Sequence, residues 1–367
     1  MTAAAEPVGE GPGDGAPVDG APVNGAPVLV PVLANHRFDE AALARYLADH
    51  LPGFAGPCVV RQFQGGQSNP TFHLGTANGQ YVLRKKPPGK LLPSAHAVDR
   101  EYRILGALRG SGVPVPTVHL LCTDESVIGT TFFVMDYLEG RVFADRTLPG
   151  VSPADRAAIY DDMGHVLARL HGVDWRAGGL EGFGRPERYI ARQIDRWSKQ
   201  YAASRVDDVP AMDRLMAWLT AHAPEADETT VAHGDYRLGN LIIHPAEPQV
   251  VAVLDWELAT LGHPLADLAY SCLAWRLPPD LQGIKGLDVP GLPSEAEYVQ
   301  GYFRRTGRAG APNMEFFVAF SLFRLAAIAA GVYRRALDGT AADARGREAG
   351  GKFRGLAEHG WRTAQAA

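Results

Sequence analysis

The run FDEAALARYLADHL, residues 38–51, spaces its apolar side chains at Phe38, Leu43, Tyr46 and Leu47, with Asp39 and Glu40 near its start. Apolar spacing of three to four residues with acids in the first turn predicts a helix. The period then shortens. PCVVRQFQ (57–64), TFHLGTA (71–77) and QYVLRKK (80–86) are short runs separated by Gly-rich or Asn-Gly turns, the pattern of an antiparallel meander. A helix is expected around Val98–Leu108, and VHLLCTD and TTFFVMDYLEG predict two more strands. From Ser152 onward helical spacing dominates. The exception is a hairpin around Leu241–Ile243 and Val250–Leu254, joined by HPAEPQ. A strand-rich third followed by a helix-rich remainder predicts an α+β chain of two lobes. The expected division is 29–138 and 139–367, with the join near Met135–Gly140.

Residues 1–28 break both periods. GAPV, DGAPV and NGAPV recur every five residues, too short a unit for a solenoid and too poor in apolar surface to offset its ordering entropy. A disordered tail without a catalytic part is expected. At the other end, Phe316–Val332 is the most apolar stretch, but Arg324 sits at its middle. A buried helix is expected there in place of a membrane span.

Composition narrows the function classes. The 367 residues are 46% hydrophobic and 21% charged, as in ordinary globular proteins. A net charge of −5 gives no general attraction to nucleic acid or anionic lipid, so neither is an expected partner. Cys58, Cys122 and Cys272 are scattered and odd in number, which argues against a disulfide framework or a zinc site and fits a reducing cytoplasm. No basic region followed by an apolar stretch suggests a signal peptide.

The chemistry lies in two phrases, VAHGDYRLGN (231–240) and VVAVLDWE (250–257). Asp235, in a loop after an apolar run, can accept a hydroxyl proton. Asn240 opens the hairpin and Asp255 closes it, so the two should be neighbours. An amide oxygen and a carboxylate there suit Mg²⁺, which takes few protein oxygens and completes its shell with phosphate. Each residue alone is more often a turn or cap residue; the order and hairpin context favour function.

HGDYRLGN and LDWE resemble the catalytic and metal motifs of the aminoglycoside phosphotransferase and choline kinase-like family, small-molecule kinases with a protein-kinase-like fold. The Asp-x-x-x-x-Asn spacing is that of the kinase catalytic loop. Within the family, the phrase running to HPLADLAY is most similar to the branch fused to acyl-CoA dehydrogenases. The resemblance implies a small antiparallel-sheet N-lobe that holds ATP and a larger, mostly helical C-lobe. It makes Asp235 the base, with Asn240 and Asp255 on Mg²⁺. Gly65, Gly66, Ser68 and Asn69 would approach the phosphates. Aligned with the V-A-I-K strand of the resembled kinases, YVLR puts Arg84 at the phosphate-binding cation position, and strand alternation turns Lys85 the other way. Glu101 is the natural ion-pair partner for Arg84. Met135 and Tyr137 fall on the linker whose main chain would pair with adenine. His233 and Asp267 would support the catalytic loop, and Arg237 would neutralise the transferring phosphoryl group or contact substrate.

For the acceptor, a small molecule bearing a hydroxyl, the candidates are Trp256, Glu257, His263, Tyr270, Trp275, Arg324 and Tyr333. Aminoglycosides are polycations that need an acidic pocket. ARQIDRW, FRLAAI and VYRRA are basic instead, which points to an anionic acceptor such as a hydroxyacyl-CoA. Two other classes stand beside this one. Loss of Asp235, Asn240 or Asp255 would have marked a nucleotide-binding pseudokinase. A metal hydrolase would use His233, Asp235, His244 and His263.

Overall fold

A computed structural model describes residues 25, 27–64, 69–87, 97–224, 228–339 and 346–367. The predicted tail lies mostly outside these residues. Its last part is fixed: the Gly25 carbonyl accepts from Val142 N (2.6 Å) and the Val28 carbonyl from Gln64 N (2.9 Å).

The N-lobe holds β1 (Leu29–Val30), α1 (Glu40–His50), β2 (Val59–Phe63), β3 (Thr71–Gly75), β4 (Gln80–Lys85), α2 (Val98–Leu108), β5 (Val118–Cys122) and β6 (Phe132–Asp136). Its strands form one antiparallel sheet in the order β1-β2-β3-β4-β6-β5. Period-two alternation sends their side chains to two different cores. Phe72, Leu83, Phe132 and Val134 pack outward with Leu43 and Leu47 of α1, while Val82, Phe133 and Met135 face inward, toward α2 and the C-lobe. Asp39 caps α1, its carboxylate accepting from Ala42 N (2.8 Å). Helix α2 buries Val98, Glu101, Leu105 and Leu108. Glu101 thus occupies one step of an apolar stripe, and the helix carries it to the sheet.

The C-lobe is built from α3 (Pro153–His171), α4 (Tyr189–Ser204), α5 (Pro210–Ala221), β7 (Thr230–Ala232), β8 (Leu241–Ile243), β9 (Val250–Val253), β10 (Thr260–Gly262), α6 (Pro264–Arg276), α7 (Glu295–Thr306), α8 (Met314–Leu337), α9 (Gly346–Gly351) and α10 (Phe353–Gln365). Two small antiparallel pairs, β8-β9 and β7-β10, carry the loops of interest. Helix α8 is long and apolar enough to cross a membrane by length and composition, yet 78% of its apolar window is buried in this molecule. It packs against α4, α5, α6, α9 and α10, which accounts for its apolar character as core.

The lobes join through residues 137–143. Arg141 N donates to the Ile243 carbonyl (2.7 Å) and Ile243 N to the Arg141 carbonyl (2.8 Å), so the linker pairs directly onto β8. A side chain at Gly140 would collide with Ile242 and the Ile243 carbonyl. Glycine is what lets the two backbones approach.

Candidate active site

The loop 233–240 leaves β7 and is braced from below. Asp267, in the first turn of α6, is 1% exposed. Its carboxylate accepts from His233 N (2.6 Å) and Gly234 N (2.8 Å). Burial opposes its charge, but His171, at 3.5 Å, His233 and the Gly234 amide outweigh it and hold Asp267 below the usual carboxylate range. His171 itself bonds the Tyr302 hydroxyl at 2.7 Å. Tyr236 anchors the loop a second time, its hydroxyl donating to the Met163 carbonyl (2.8 Å). Gly234 takes φ +84°, and a side chain there would meet the Leu258 carbonyl.

Both nitrogens of His233 are spent on the backbone. Nδ1 accepts from Asp235 N (3.1 Å), so Nε2 carries the hydrogen and donates to the Leu254 carbonyl (2.9 Å). The ring joins the loop to the end of β9 and has no nitrogen left for a proton or a metal. His263 caps α6, accepting from Leu265 N (3.2 Å). His244 Nδ1 accepts from Ala246 N and Glu247 N. The histidines of the hydrolase alternative therefore serve the backbone.

Asp235 is bracketed through Oδ2, which accepts from Asn240 Nδ2 (2.7 Å) and Arg237 Nε (3.3 Å). Tyr270 lies close to this carboxylate, and its phenol is raised above its ordinary value by burial and by that charge. Asn240 uses its amide nitrogen a second time, on the Asp235 carbonyl (2.9 Å). That orientation turns Asn240 Oδ1 away from the loop. Pairing of Leu241 with Val253 and donation from Leu254 N to the Asn240 carbonyl (2.8 Å) bring Asn240 beside Asp255. Asp255 sits at φ 64°, ψ 64°, a left-handed conformation that costs a non-glycine residue about 1–3 kcal/mol and breaks the line of β9. An amide oxygen and a carboxylate side by side form a hard-oxygen donor set, so these residues fit Mg²⁺.

The N-lobe closes the site from above. Arg84 reaches Glu101 at 2.9 Å and Asp255 at 2.7 Å. Burial works against its charge, but Glu101, then Asp255 and Glu257, hold Arg84 above its ordinary value. Burial pushes the Glu101 carboxyl up, with Arg84 and Asn69 pulling the other way. Lys85 points to the opposite face, 4% exposed, between the rings of Phe38 and Phe72 at 5.9 Å from each.

The remaining candidates separate. Gly65, Gly66 and Ser68 lie outside the described residues. Asn69, expected on a phosphate, donates to Glu101 Oε1 (2.8 Å) and so braces the Arg84 partner. Met135 is inside the sheet between Val82 and Val118; the linker leaves the sheet at Tyr137, whose N–H faces the Gln80 carbonyl at 3.4 Å. Of the acceptor set, Tyr270 lies near Asp235, and Arg324 lies 4.8 Å from the Tyr270 ring. Glu257 is felt by Arg84, on the nucleotide side. Two candidates, Trp256 and His263, require correction, because core packing has claimed them, while Trp275 and Tyr333 are half-buried against the core. Trp256 is buried under His233 and donates to the Val253 carbonyl. His263 stacks on Phe317 while capping α6. Trp275 packs on Tyr160 and Tyr298, and Tyr333 on Phe353.

Two residues were missed. Arg146 lies in the irregular segment before α3 and feels the charges of Asp235 and Arg237; no periodicity marks it. His171 ends α3 and supports Asp267, and nothing local distinguishes it from a helix-terminal histidine.

Residues 59–317 match the phosphotransferase enzyme family. This chain belongs to that family. A relative, acyl-CoA dehydrogenase family member 10 of Mus musculus, is 48% identical over 90% of this chain and 32% of its own length. The chain spans 32–44% of the curated relatives it matches. A solved candidate aminoglycoside phosphotransferase of Ralstonia eutropha superposes with a TM-score of 0.82 at 50% identity, covering 90% of this chain and 99% of that one. The GDP complex of aminoglycoside 2′-phosphotransferase-IIIa shares the fold at a TM-score of 0.59 and 14% identity, over 86% of this chain and 99% of that one. The architecture is the bilobal kinase-like fold of the family.

Proposed function

We propose that this chain transfers the γ-phosphoryl group of ATP to the hydroxyl of an anionic small metabolite, a hydroxyacyl-CoA or related hydroxy acid derivative. The observation that carries this reading is the convergence of Asp235, Asn240 and Asp255 opposite the Arg84–Glu101 pair. Asp235 accepts the hydroxyl proton. Asn240 and Arg237 hold its carboxylate at one oxygen, which fixes the other for the substrate. A carboxylate is a weak base, and that suits a loose transition state with little bonding to the nucleophile. Asn240 Oδ1 and Asp255 would hold Mg²⁺, which when bound supplies positive charge to the phosphate oxygens. Arg84 lies where a cation would meet the inner phosphates, and Arg237 where charge develops on the transferring group. The name of the mouse relative, an acyl-CoA dehydrogenase family member, supports an acyl-chain acceptor. The arginines near Asp235 favour an anion over a polycation such as an aminoglycoside, or over choline.

The test is ADP release with MgATP and a panel of hydroxyacyl-CoAs, free hydroxy acids, choline, homoserine and aminoglycosides, with Asp235→Asn as blank. Turnover with an anionic acceptor should fall by roughly 10²–10⁴-fold in the variant, while nucleotide binding persists. Equal or faster transfer to kanamycin or choline would overturn the acceptor class. Comparable turnover in Asp235→Asn would overturn the base.

A further inference from the structure

Arg324 occupies the middle of α8 and is 4% exposed. Its guanidinium lies over the ring of Tyr270 at 4.8 Å, and the Tyr270 phenol in turn feels the charge of Asp235. Its Nε and one terminal nitrogen are buried without a hydrogen-bond partner. Arg146 repeats the pattern from the other side. The Tyr160 hydroxyl donates to its backbone carbonyl (2.6 Å), its guanidinium feels the charge of Asp235, and one terminal nitrogen is buried without a partner. Neighbouring Asp145 does not answer it; that carboxylate is exposed and accepts from Thr147 N and its hydroxyl, both at 2.8 Å.

Buried arginine need not be left this way. Arg156, 7% exposed, donates to the carbonyls of Thr147, Leu148, Val151 and Pro290. The same fold therefore satisfies one deep guanidinium completely and leaves unpartnered nitrogens on two others, Arg324 against the Tyr270 ring and Arg146 within electrostatic reach of Asp235 and Tyr270. A buried cation lacking a counter-charge is strongly unfavourable, and stacking on one tyrosine ring compensates only part of that. With Arg237, which Asp235 and Asp255 hold charged, three cations gather around Tyr270.

We infer that Arg146 and Arg324 select the acceptor, by receiving a carboxylate that lies within a few bonds of the hydroxyl to be phosphorylated. The inference rests on the phosphotransferase reading and sharpens it. The phosphates of a CoA ester lie far from an acyl hydroxyl, and its thioester carbonyl is neutral. Among the acceptors proposed above, the two arginines therefore favour the free hydroxy acid. Two guanidinium forks match the planar oxygens of a carboxylate.

The experiment is thermal denaturation of the full chain with 2-, 3- and 4-hydroxybutyrate, the matching hydroxybutyramides, 3-hydroxybutyryl-CoA, and sodium chloride at equal ionic strength. Wild type, Arg324→Met and Arg146→Gln are compared, with MgATP run in parallel. At least one acid should raise the wild-type midpoint saturably, while its amide and the chloride do not. In both variants the concentration giving half the shift should rise on the order of tenfold or more. Should Arg324→Met fail to fold, Arg146→Gln carries the decision. The inference is overturned if acid and amide shift alike, if no acid shifts the wild type, if the CoA ester binds better than its acid, or if a folded variant keeps the acid's shift. Absence of a MgATP shift in wild type would count against the phosphotransferase reading, and the acid series would still decide the pair.

Discussion

Arg84 and Arg324 are both arginines within the site, and the fold treats them in opposite ways. Arg84, on the nucleotide side, is held by Glu101 and Asp255, with Asn69 bracing Glu101. Arg324, on the acceptor side, has a tyrosine ring and two unpartnered nitrogens. Paired charges inside a protein are positioned by their partners, and removing one partner leaves the other stranded. An unpaired charge is positioned by packing alone and is answered when a ligand arrives. On the proposed function, the nucleotide wall would be in place before binding and the acceptor wall would be completed by it.

The largest effect that would break this contrast is expected at Arg84. Arg84→Met leaves Glu101, with a side chain 3% exposed, as an uncompensated buried carboxylate. A loss of about 3–5 kcal/mol is expected, read by urea denaturation, together with loss of nucleotide binding. Next comes the loop bracket. Asp267→Asn keeps one acceptor but puts an NH₂ group against a backbone N–H. A cost of about 1–3 kcal/mol is expected, with a fall in turnover larger than any change in nucleotide affinity, since the loop that carries Asp235 is what moves.

Acid should separate the two regions by pH. Burial raises Glu101 above the ordinary carboxylate value, so as pH falls its proton returns early and the pairing with Arg84 is lost first. Asp267 is lowered; its contribution is fully present above the ordinary carboxylate pKa and is lost only as pH falls through its depressed folded value. Nucleotide binding should therefore fail at a higher pH than the fold does. Circular dichroism and a nucleotide thermal shift over the same pH series check this, and Glu101→Gln should narrow the gap. The smallest effect is expected at Lys85. It lies between Phe38 and Phe72 on the far face of the sheet, and burial lowers its pKa. Lys85→Met should change stability by less than about 1.5 kcal/mol and leave nucleotide affinity unchanged; a large loss of affinity would reverse the roles of Arg84 and Lys85.

The same contrast explains what could be read from residues in a row. Alternation along YVLRKK separates Arg84 from Lys85, because a strand offers only two faces. The hairpin brings Asn240 to Asp255, because its two strands begin and end together. Glu101 falls on the buried stripe of α2 by helical spacing. Each of these is local geometry. The acceptor wall is assembled from the segment before α3, from α6 and from α8, which are far apart in sequence. Trp256 and His263 have suitable chemistry, and only tertiary packing reveals that the core has taken them. Arg146 has no periodic neighbour to point it out. Unpartnered nitrogens, which identify it and Arg324, exist only in three dimensions.

The contrast between the two walls is tested most directly by melting Arg84→Met and Arg324→Met side by side, without any ligand. Arg84→Met should melt well below wild type, because a buried carboxylate loses its partner. Arg324→Met, which replaces an unpartnered cation by an apolar chain, should melt at or above wild type. Equal losses in the two variants would mean that Arg324 is as firmly paired as Arg84, and the division between a prepared nucleotide wall and a waiting acceptor wall would be wrong.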